Sequence, residues 1–145
     1  MRIVLADDRP LPRDRKLWLA DGEGSVLVAT GPGYPEADAD DLRGRGVEVL
    51  PATPAELLDE LGRRRLTNVL VEGGGKLLGR LFDARLVDEV WAFIAPKVFG
   101  SAAAPGPVGG LGIEALADAA KLDGVTVEAV GDDCLVRGRV MQPAS

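Results

Sequence analysis

The 145-residue chain has no histidine and only one cysteine, Cys134. The absence of histidine excludes Ser-His-Asp and Cys-His catalysis, the usual zinc sites and the commonest general base. A single cysteine cannot build an internal disulfide framework and gives no sign of an exported, bridged protein, so a cytoplasmic location is expected. Any chemistry must therefore use carboxylates, lysine, backbone dipoles or a bound cofactor that carries the reaction.

Long apolar runs and clustered basic residues are also missing. No stretch is apolar for long enough to cross a membrane, and the strand-like residues 2–5 follow Met1 directly, so no signal peptide is expected. The net charge is −6, and the one basic run, residues 63–65, falls at the end of a predicted helix, where cations suit the dipole. Neither nucleic acid nor a membrane is expected as a partner.

The alternation of strand and helix patterns predicts an α/β fold with a largely parallel sheet, as one domain over residues 1–145. The predicted strands are residues 3–5, 25–30, 47–50, 68–72 and 87–95, and the predicted helices are residues 38–43, 54–64 and 76–84. Thr53, Pro54 and Glu56 have the spacing of a helix start.

The C-terminal third contains a second type of pattern. Strand 87–95 is apolar at both alternating sets of positions, so we expect it to be central in the sheet and buried on both faces. Residues 101–112 are a predicted loop, and an antiparallel hairpin is predicted around Gly131-Asp132-Asp133. Because the helices are few for a parallel sheet, we expect a missing segment or a partner subunit, in a homodimer, to cover an exposed face.

The most informative segment runs from Asn68 to Gly79. An apolar strand pattern leads into Gly73-Gly74-Gly75 and then into a helical pattern. Glycines let backbone N–H groups approach a ligand, and the following helix dipole favours an anion. Glu72 lies at the strand exit, where open α/β sheets bind ligands. The segment fits neither G-x-G-x-x-G nor the P-loop. It indicates either a phosphate-bearing cofactor beside a polar substrate group, or a tight turn whose glycines only let the helix pack close to the sheet.

Several motifs follow one another in a recognisable order. They are Asn68-Val69-Leu70-Val71-Glu72-Gly73-Gly74, Leu86-Val87-Asp88-Glu89-Val90, Ile94-Ala95-Pro96-Lys97-Val98-Phe99-Gly100, Pro105-Gly106-Pro107, Gly112-Ile113-Glu114 and Gly131-Asp132-Asp133-Cys134-Leu135. They are preceded by Arg2-Ile3-Val4-Leu5, Leu11-Pro12 and Lys16-Leu17. Together they resemble the C-terminal reductase domain of the bifunctional riboflavin-biosynthesis deaminase-reductases, over essentially the whole chain.

The resemblance implies a dihydrofolate-reductase-like fold: a mostly parallel sheet flanked by helices and ending in an antiparallel hairpin, here without the N-terminal part of the family's domain. It also implies NADPH-dependent hydride transfer to the ribose carbon of a phosphorylated substrate, 5-amino-6-(5-phosphoribosylamino)uracil. By the same resemblance Glu72 contacts the substrate, while the backbone of the next segment holds the NADPH phosphates. That segment comprises Gly74, Gly75, Lys76, Leu77, Leu78, Gly79 and Arg80. No metal and no particular catalytic residue is assigned.

The chain departs from the family in two ways. Asp7 stands where the family has a serine that touches the cofactor, and an aspartate repels a 2′-phosphate. The N-terminal part that brings a central strand and further contacts is absent, so we expect the isolated chain to bind NADPH weakly and to have little activity. Two alternatives stay open: a non-catalytic nucleotide-binding or dimerisation relative, and a dihydrofolate reductase. An in-frame extension upstream of Met1 would favour the enzyme.

Overall fold

The computed structural model describes residues 1–14, 24–98, 100, 104 and 106–141. These residues form six strands, three α-helices and one short 3-10 helix, Leu116–Asp118, and divide into two compact units, Met1–Val69 and Leu70–Ser145. Lys16, Leu17, Phe99 and Pro105 from the recognised motifs, and residues 101–103 of the predicted loop, lie outside the described residues.

The first unit is a parallel sheet with its connecting helices. Its elements are β1 (Arg2–Ala6), β2 (Val26–Thr30), α1 (Glu36–Gly44), β3 (Glu48–Pro51) and α2 (Pro54–Arg63). The strand order is β1-β2-β3, all parallel, with Arg2 beside Val26 and Leu27 beside Glu48. The strands and helices predicted over residues 3–64 are confirmed, apart from small shifts at the ends.

The central strand β2 supplies the core of this unit. Its side chains alternate between the two faces, and Leu27 and Val28 are both fully buried. Val28 packs with Leu42 of α1, and Leu27 packs with Leu57 and Leu61 of α2. One helix therefore covers each face of this three-stranded sheet, the arrangement that a parallel sheet requires.

Helix ends in both units have well-defined caps. Thr53 and Glu56 form the predicted capping box at the start of α2. At its end the N–H of Leu66 donates to the carbonyl oxygen of Leu61 at 2.9 Å, and Arg65 has a φ of 61°. The same arrangement ends α3 (Gly75–Asp83), where Arg85 has a φ of 56°. Arginine thus occupies the left-handed position that usually belongs to glycine.

The second unit contains α3 and an antiparallel sheet. Its strands are β4 (Glu89–Ile94), β5 (Leu122–Val130) and β6 (Asp133–Val140), in the order β4-β6-β5. Val130 lies beside Asp133, so the predicted hairpin is confirmed, with a two-residue turn in which Gly131 has a φ of 60°. Residues 106–112 contain no helix or strand, as the loop prediction requires.

The prediction of a strand over residues 68–72 is wrong for the described structure, in which this segment belongs to no sheet. Val69 and Leu70 are exposed instead, by 40% and 80%. β-propensity describes side chains that fit a pleated surface, whereas a strand also needs a neighbour that pairs with its backbone. None of the described residues provides that neighbour.

The prediction that the strand over residues 87–95 is central and buried is also wrong. Observed β4 lies at an edge of its sheet and pairs only with β6 among the described strands. Its Trp91 and Phe93 are 55% and 59% exposed. The Trp91 ring instead contacts polar neighbours: its Nε1–H donates to Glu89 at 2.8 Å, and the Arg137 guanidinium lies 5.3 Å from its centroid.

Candidate functional site

The glycine turn forms the N-terminus of α3. Gly74 is the N-cap residue, in extended backbone conformation, and its carbonyl oxygen accepts the N–H groups of Leu77 and Leu78 at 2.9 and 3.2 Å. In the part of the chain that the structure describes, the N–H groups of Gly75 and Lys76 have no acceptor. Free N–H groups at the positive end of a helix dipole suit an anion such as a phosphate.

The glycines of this segment have different structural roles. A Cβ atom on Gly79 would overlap the backbone of Gly109 and Gly110, and one on Gly75 would come within 2.9 Å of the Gly106 oxygen. A Cβ on Gly74 would meet nothing within 4 Å. Gly75 and Gly79 therefore allow another backbone to approach closely, whereas Gly74 faces open space. The packing alternative predicted close approach of the helix to the sheet, whereas the backbone that approaches Gly75 and Gly79 is that of a loop.

That loop, residues 106–111, is bonded to both ends of α3. The N–H of Gly109 donates to the carbonyl oxygen of Gly75 at 2.8 Å, near the start of the helix. The N–H of Leu111 donates to a carboxylate oxygen of Asp83 at 3.0 Å, at the end of the helix. Asp83 was not among the predicted site residues. Nothing in the sequence around this helix end indicates that its carboxylate accepts a hydrogen bond from a distant loop.

The other predicted site residues of this unit lie around the turn. The side chains of Glu72, Lys76 and Arg80 are exposed, Leu77 and Leu78 are half-buried, and Gly79 is buried. Lys76 and Arg80 are four residues apart and so lie on one face of α3. The described structure thus gathers a carboxylate, two cations and open N–H groups along a short stretch of chain, a set that can bind a phosphorylated ligand.

Asp7 belongs to the first unit, directly after β1. The neighbouring Asp8 makes the clearer contact: its Oδ1 accepts the N–H of Gly33 at 2.9 Å. Asp8 also lies where a Cβ on Gly31 would have to fit. The Asp8–Gly33 hydrogen bond joins the loops that follow β1 and β2, at the carboxyl edge of a parallel sheet, where ligands bind in open α/β folds.

A small cleft in the first unit carries charges that neutralise one another. Arg13 pairs with Asp38 at 2.8 Å, and Arg45 pairs with Asp41 at 2.9 Å. The hydrogen bond that Arg13 donates to Asp38 raises the pKa of Arg13, and the charge of Asp41 raises it further. The Arg13–Asp38 pair fastens the loop after β1 onto α1, whereas the Arg45–Asp41 pair lies within the end of α1. Among all the residues that the structure describes, no group of three metal-ligating side chains is placed to hold a metal ion, and no helix is long and apolar enough to span a membrane.

Comparison with known proteins places this architecture in a class. The chain superimposes on Acinetobacter baumannii RibD with a TM-score of 0.77 and 26% identity, over 97% of this chain and 37% of that one. A pyrimidine reductase-like protein from Corynebacterium diphtheriae shares the fold, with a TM-score of 0.75 and 20% identity over 97% of this chain and 60% of that one. The fold is dihydrofolate-reductase-like.

The family follows from the sequence comparison. The family model of the RibD C-terminal domain matches residues 1–136, and the chain belongs to that family, the reductase domain of riboflavin-biosynthesis proteins. It is 35% identical to the chloroplastic riboflavin biosynthesis protein PYRR of Arabidopsis thaliana over 98% of the chain. It is also 35% identical to RibD of Synechocystis over 95% of the chain. The chain spans 24% and 38% of the lengths of these two relatives.

Proposed function

We propose that this chain acts in the NADPH-dependent reduction of 5-amino-6-(5-phosphoribosylamino)uracil, by hydride transfer to the ribose carbon. The observation that supports it most is the glycine turn, which presents the N–H groups of Gly75 and Lys76 without acceptors among the described residues. The NADPH phosphates are the anions that these groups would bind. The cofactor itself supplies the hydride.

In this proposal the side chains beside the turn orient the two ligands. Lys76 and Arg80 add positive charge near the phosphates, and Gly74 leaves space for a close approach. Leu77, Leu78 and Gly79 continue the cofactor-binding segment along the first turns of the helix. Glu72, one residue before the glycines, accepts hydrogen bonds from the substrate.

We further propose a homodimeric, cytoplasmic protein in which a second copy covers apolar side chains that the single chain exposes. Trp91, Phe93 and Ile94 of β4 are each more than half exposed. Hydride transfer requires two carbons at near-contact distance in a site closed to water. Because Glu72, Gly74 and Lys76 are exposed in one chain, we expect weak NADPH binding and slow turnover from a monomer.

A non-catalytic nucleotide-binding or dimerisation role is the second candidate. It is favoured by Asp7, whose carboxylate follows β1 where the resemblance places a cofactor-contacting serine. A turnover assay separates the two roles: the purified chain is mixed with NADPH and the pyrimidine intermediate, and NADPH oxidation is followed by absorbance. The enzyme proposal requires oxidation that depends on both compounds and falls at least about tenfold in Glu72→Gln, the loss expected for one hydrogen bond to a charged group.

Turnover by the wild-type chain at about 1–1000 per second would show that the chain or its dimer forms a complete site, against our expectation of slow turnover. NADPH binding without any oxidation would support the non-catalytic role. Lys121→Ala serves as the control, because it removes a surface charge outside the glycine turn. It should leave the rate unchanged.

A further inference from the structure

Three consecutive glycines do not hold their own conformation. Glycine has the largest backbone freedom of any residue, so Gly73, Gly74 and Gly75 would sample many arrangements in an isolated turn. A turn that binds a ligand through its N–H groups binds more tightly when those groups are already arranged. Something outside the turn must therefore restrain it.

The loop of residues 106–111 supplies that restraint. Its Gly109 is bonded to the carbonyl oxygen of Gly75, which belongs to the same residue as one of the open N–H groups. The contact surface is backbone against backbone: the loop backbone lies directly over Gly79, and the Gly106 and Pro107 oxygens lie over Gly75. The loop can remain there only while its own backbone is held.

Asp83 holds the far end of the loop. Its carboxylate accepts the N–H of Leu111 at 3.0 Å, and both of its oxygens lie around Gly110, whose φ of 95° only glycine adopts readily. A hydrogen bond to a carboxylate is stronger than one between neutral groups. Asp83 is eight residues from Gly75, so α3 separates the two anchor points by about 12 Å.

We infer that Asp83 is a positioning residue for the glycine turn: through the loop of residues 106–111 it fixes the Gly75 and Lys76 N–H groups in the arrangement that binds the NADPH phosphates. The inference rests on the proposed function for the identity of the anion. Its mechanical part, that Asp83 restrains the loop and the loop restrains Gly75, concerns the ligand-free protein and is measurable without any cofactor.

The experiment compares Asp83→Ala with Asp83→Asn, which keeps an acceptor oxygen, and with Asp88→Ala as the matched control. The backbone carbonyl oxygen of Asp88 accepts the N–H of Val140 at 2.8 Å, so replacing the Asp88 side chain does not remove this hydrogen bond. Amide hydrogen exchange in the ligand-free protein is measured first. Exchange at Gly109 and Leu111 should rise about tenfold or more in Asp83→Ala, and much less in Asp83→Asn and Asp88→Ala.

NADPH titration of the same proteins is the second readout, with the largest amide shifts expected at Gly75 and Lys76. The dissociation constant should rise about tenfold in Asp83→Ala and stay within about threefold of wild type in Asp83→Asn. If Asp83→Ala does not fold, Gly110→Ala takes its place, because its Cβ would strain the loop against the Asp83 carboxylate and the Gly79 backbone while the sequence of α3 stays the same.

Each outcome has a separate meaning. Unchanged exchange at Gly109 and Leu111 in the loop variants overturns the restraint by Asp83. Faster exchange with an unchanged NADPH dissociation constant overturns its role in binding. If wild-type protein shows no NADPH-induced shifts at Gly75 and Lys76, the proposed function fails at this turn, whatever the exchange rates show about the loop.

Discussion

The backbone N–H of Gly109 donates a 2.8 Å hydrogen bond to the carbonyl oxygen of Gly75, so a loop glycine is bonded to the first residue of α3. This contact divides the glycine-rich motif into two parts. Gly75 and Gly79 allow the loop backbone to approach, and Gly74 stays open on the side where a ligand would bind.

The close approach of the loop backbone to Gly79 predicts that Gly79→Ala strongly lowers the stability of the protein. Alanine is normally the better helix former, but its Cβ would overlap the backbone of Gly109 and Gly110. We expect the free energy of unfolding to fall by about 1–3 kcal/mol, as for other overpacked sites. Gly62→Ala in α2 is the control: its Cβ meets nothing within 4 Å, so stability should rise by about 0.5–1 kcal/mol. Urea denaturation measures both, and a stabilised Gly79→Ala variant would contradict the packing.

The helix ends predict a stabilising substitution. Arg85 has a φ of 56° at the end of α3, in the left-handed region that is strained for residues with a Cβ. Arg85→Gly should raise the free energy of unfolding by about 0.5–1 kcal/mol, because relief of this strain exceeds the added freedom of the unfolded chain. In the reverse control, Gly46→Ala after α1, where φ is 80°, stability should fall by a similar amount. Changes of the same sign in the two variants would show that φ does not decide stability here.

The ion pair between β3 and α2 predicts a pH dependence. Two guanidinium nitrogens of Arg64 bond the carboxylate of Glu48, one at 2.8 Å, and these hydrogen bonds lower the pKa of Glu48. A carboxyl group whose pKa is lowered on folding stabilises the protein above its unfolded pKa of about 4.3, and this contribution is lost as the pH falls through the folded value.

The variant Glu48→Gln tests this dependence. It should be less stable than wild type at pH 7, and the difference should close in acid as the wild-type carboxylate becomes protonated. Thermal unfolding of both proteins as a function of pH measures the gap. A gap that stays constant down to the acid transition would mean that Glu48 acts by packing and not by charge. Arg64→Lys keeps the charge but not the two-point bond, so at pH 7 its stability should lie between those of wild type and Glu48→Gln.

Asp7 provides a test of cofactor preference. If its carboxylate lies near the 2′-phosphate that distinguishes NADPH from NADH, Asp7→Ser should strengthen NADPH binding by about two- to fivefold, the scale of an exposed charge interaction. NADH binding should change little. Calorimetric titration with both cofactors measures the difference, with Asp14→Ser as a surface control. Equal changes in affinity for NADPH and NADH would show that Asp7 does not lie near the 2′-phosphate.

The local elements of this fold were predictable from sequence because local rules decide them. Thr53, Pro54 and Glu56 specify the start of α2, and Gly131 specifies the hairpin turn. The errors concern pairing between distant segments. The apolar pattern of β4 does not show that β4 has a single neighbour among the described strands. Likewise, the apolar pattern of residues 68–72 does not show that this segment pairs with none of them.

The same division applies to the candidate site. Glu72 and the glycine turn are contiguous in sequence, so their proximity was predictable. The role of Asp83 was not, because it depends on a loop 28 residues further along the chain folding back onto α3. Proximity of that kind is set by tertiary structure, and no single-sequence pattern reports it.

Titration of isotopically labelled protein with NADPH, followed by amide NMR, decides whether the glycine turn is the NADPH-phosphate site. If it is, saturable shifts should be largest at Gly74, Gly75, Lys76 and Leu77, and should weaken in Lys76→Ala. Saturable shifts confined to other residues, or none at millimolar NADPH, would contradict this assignment.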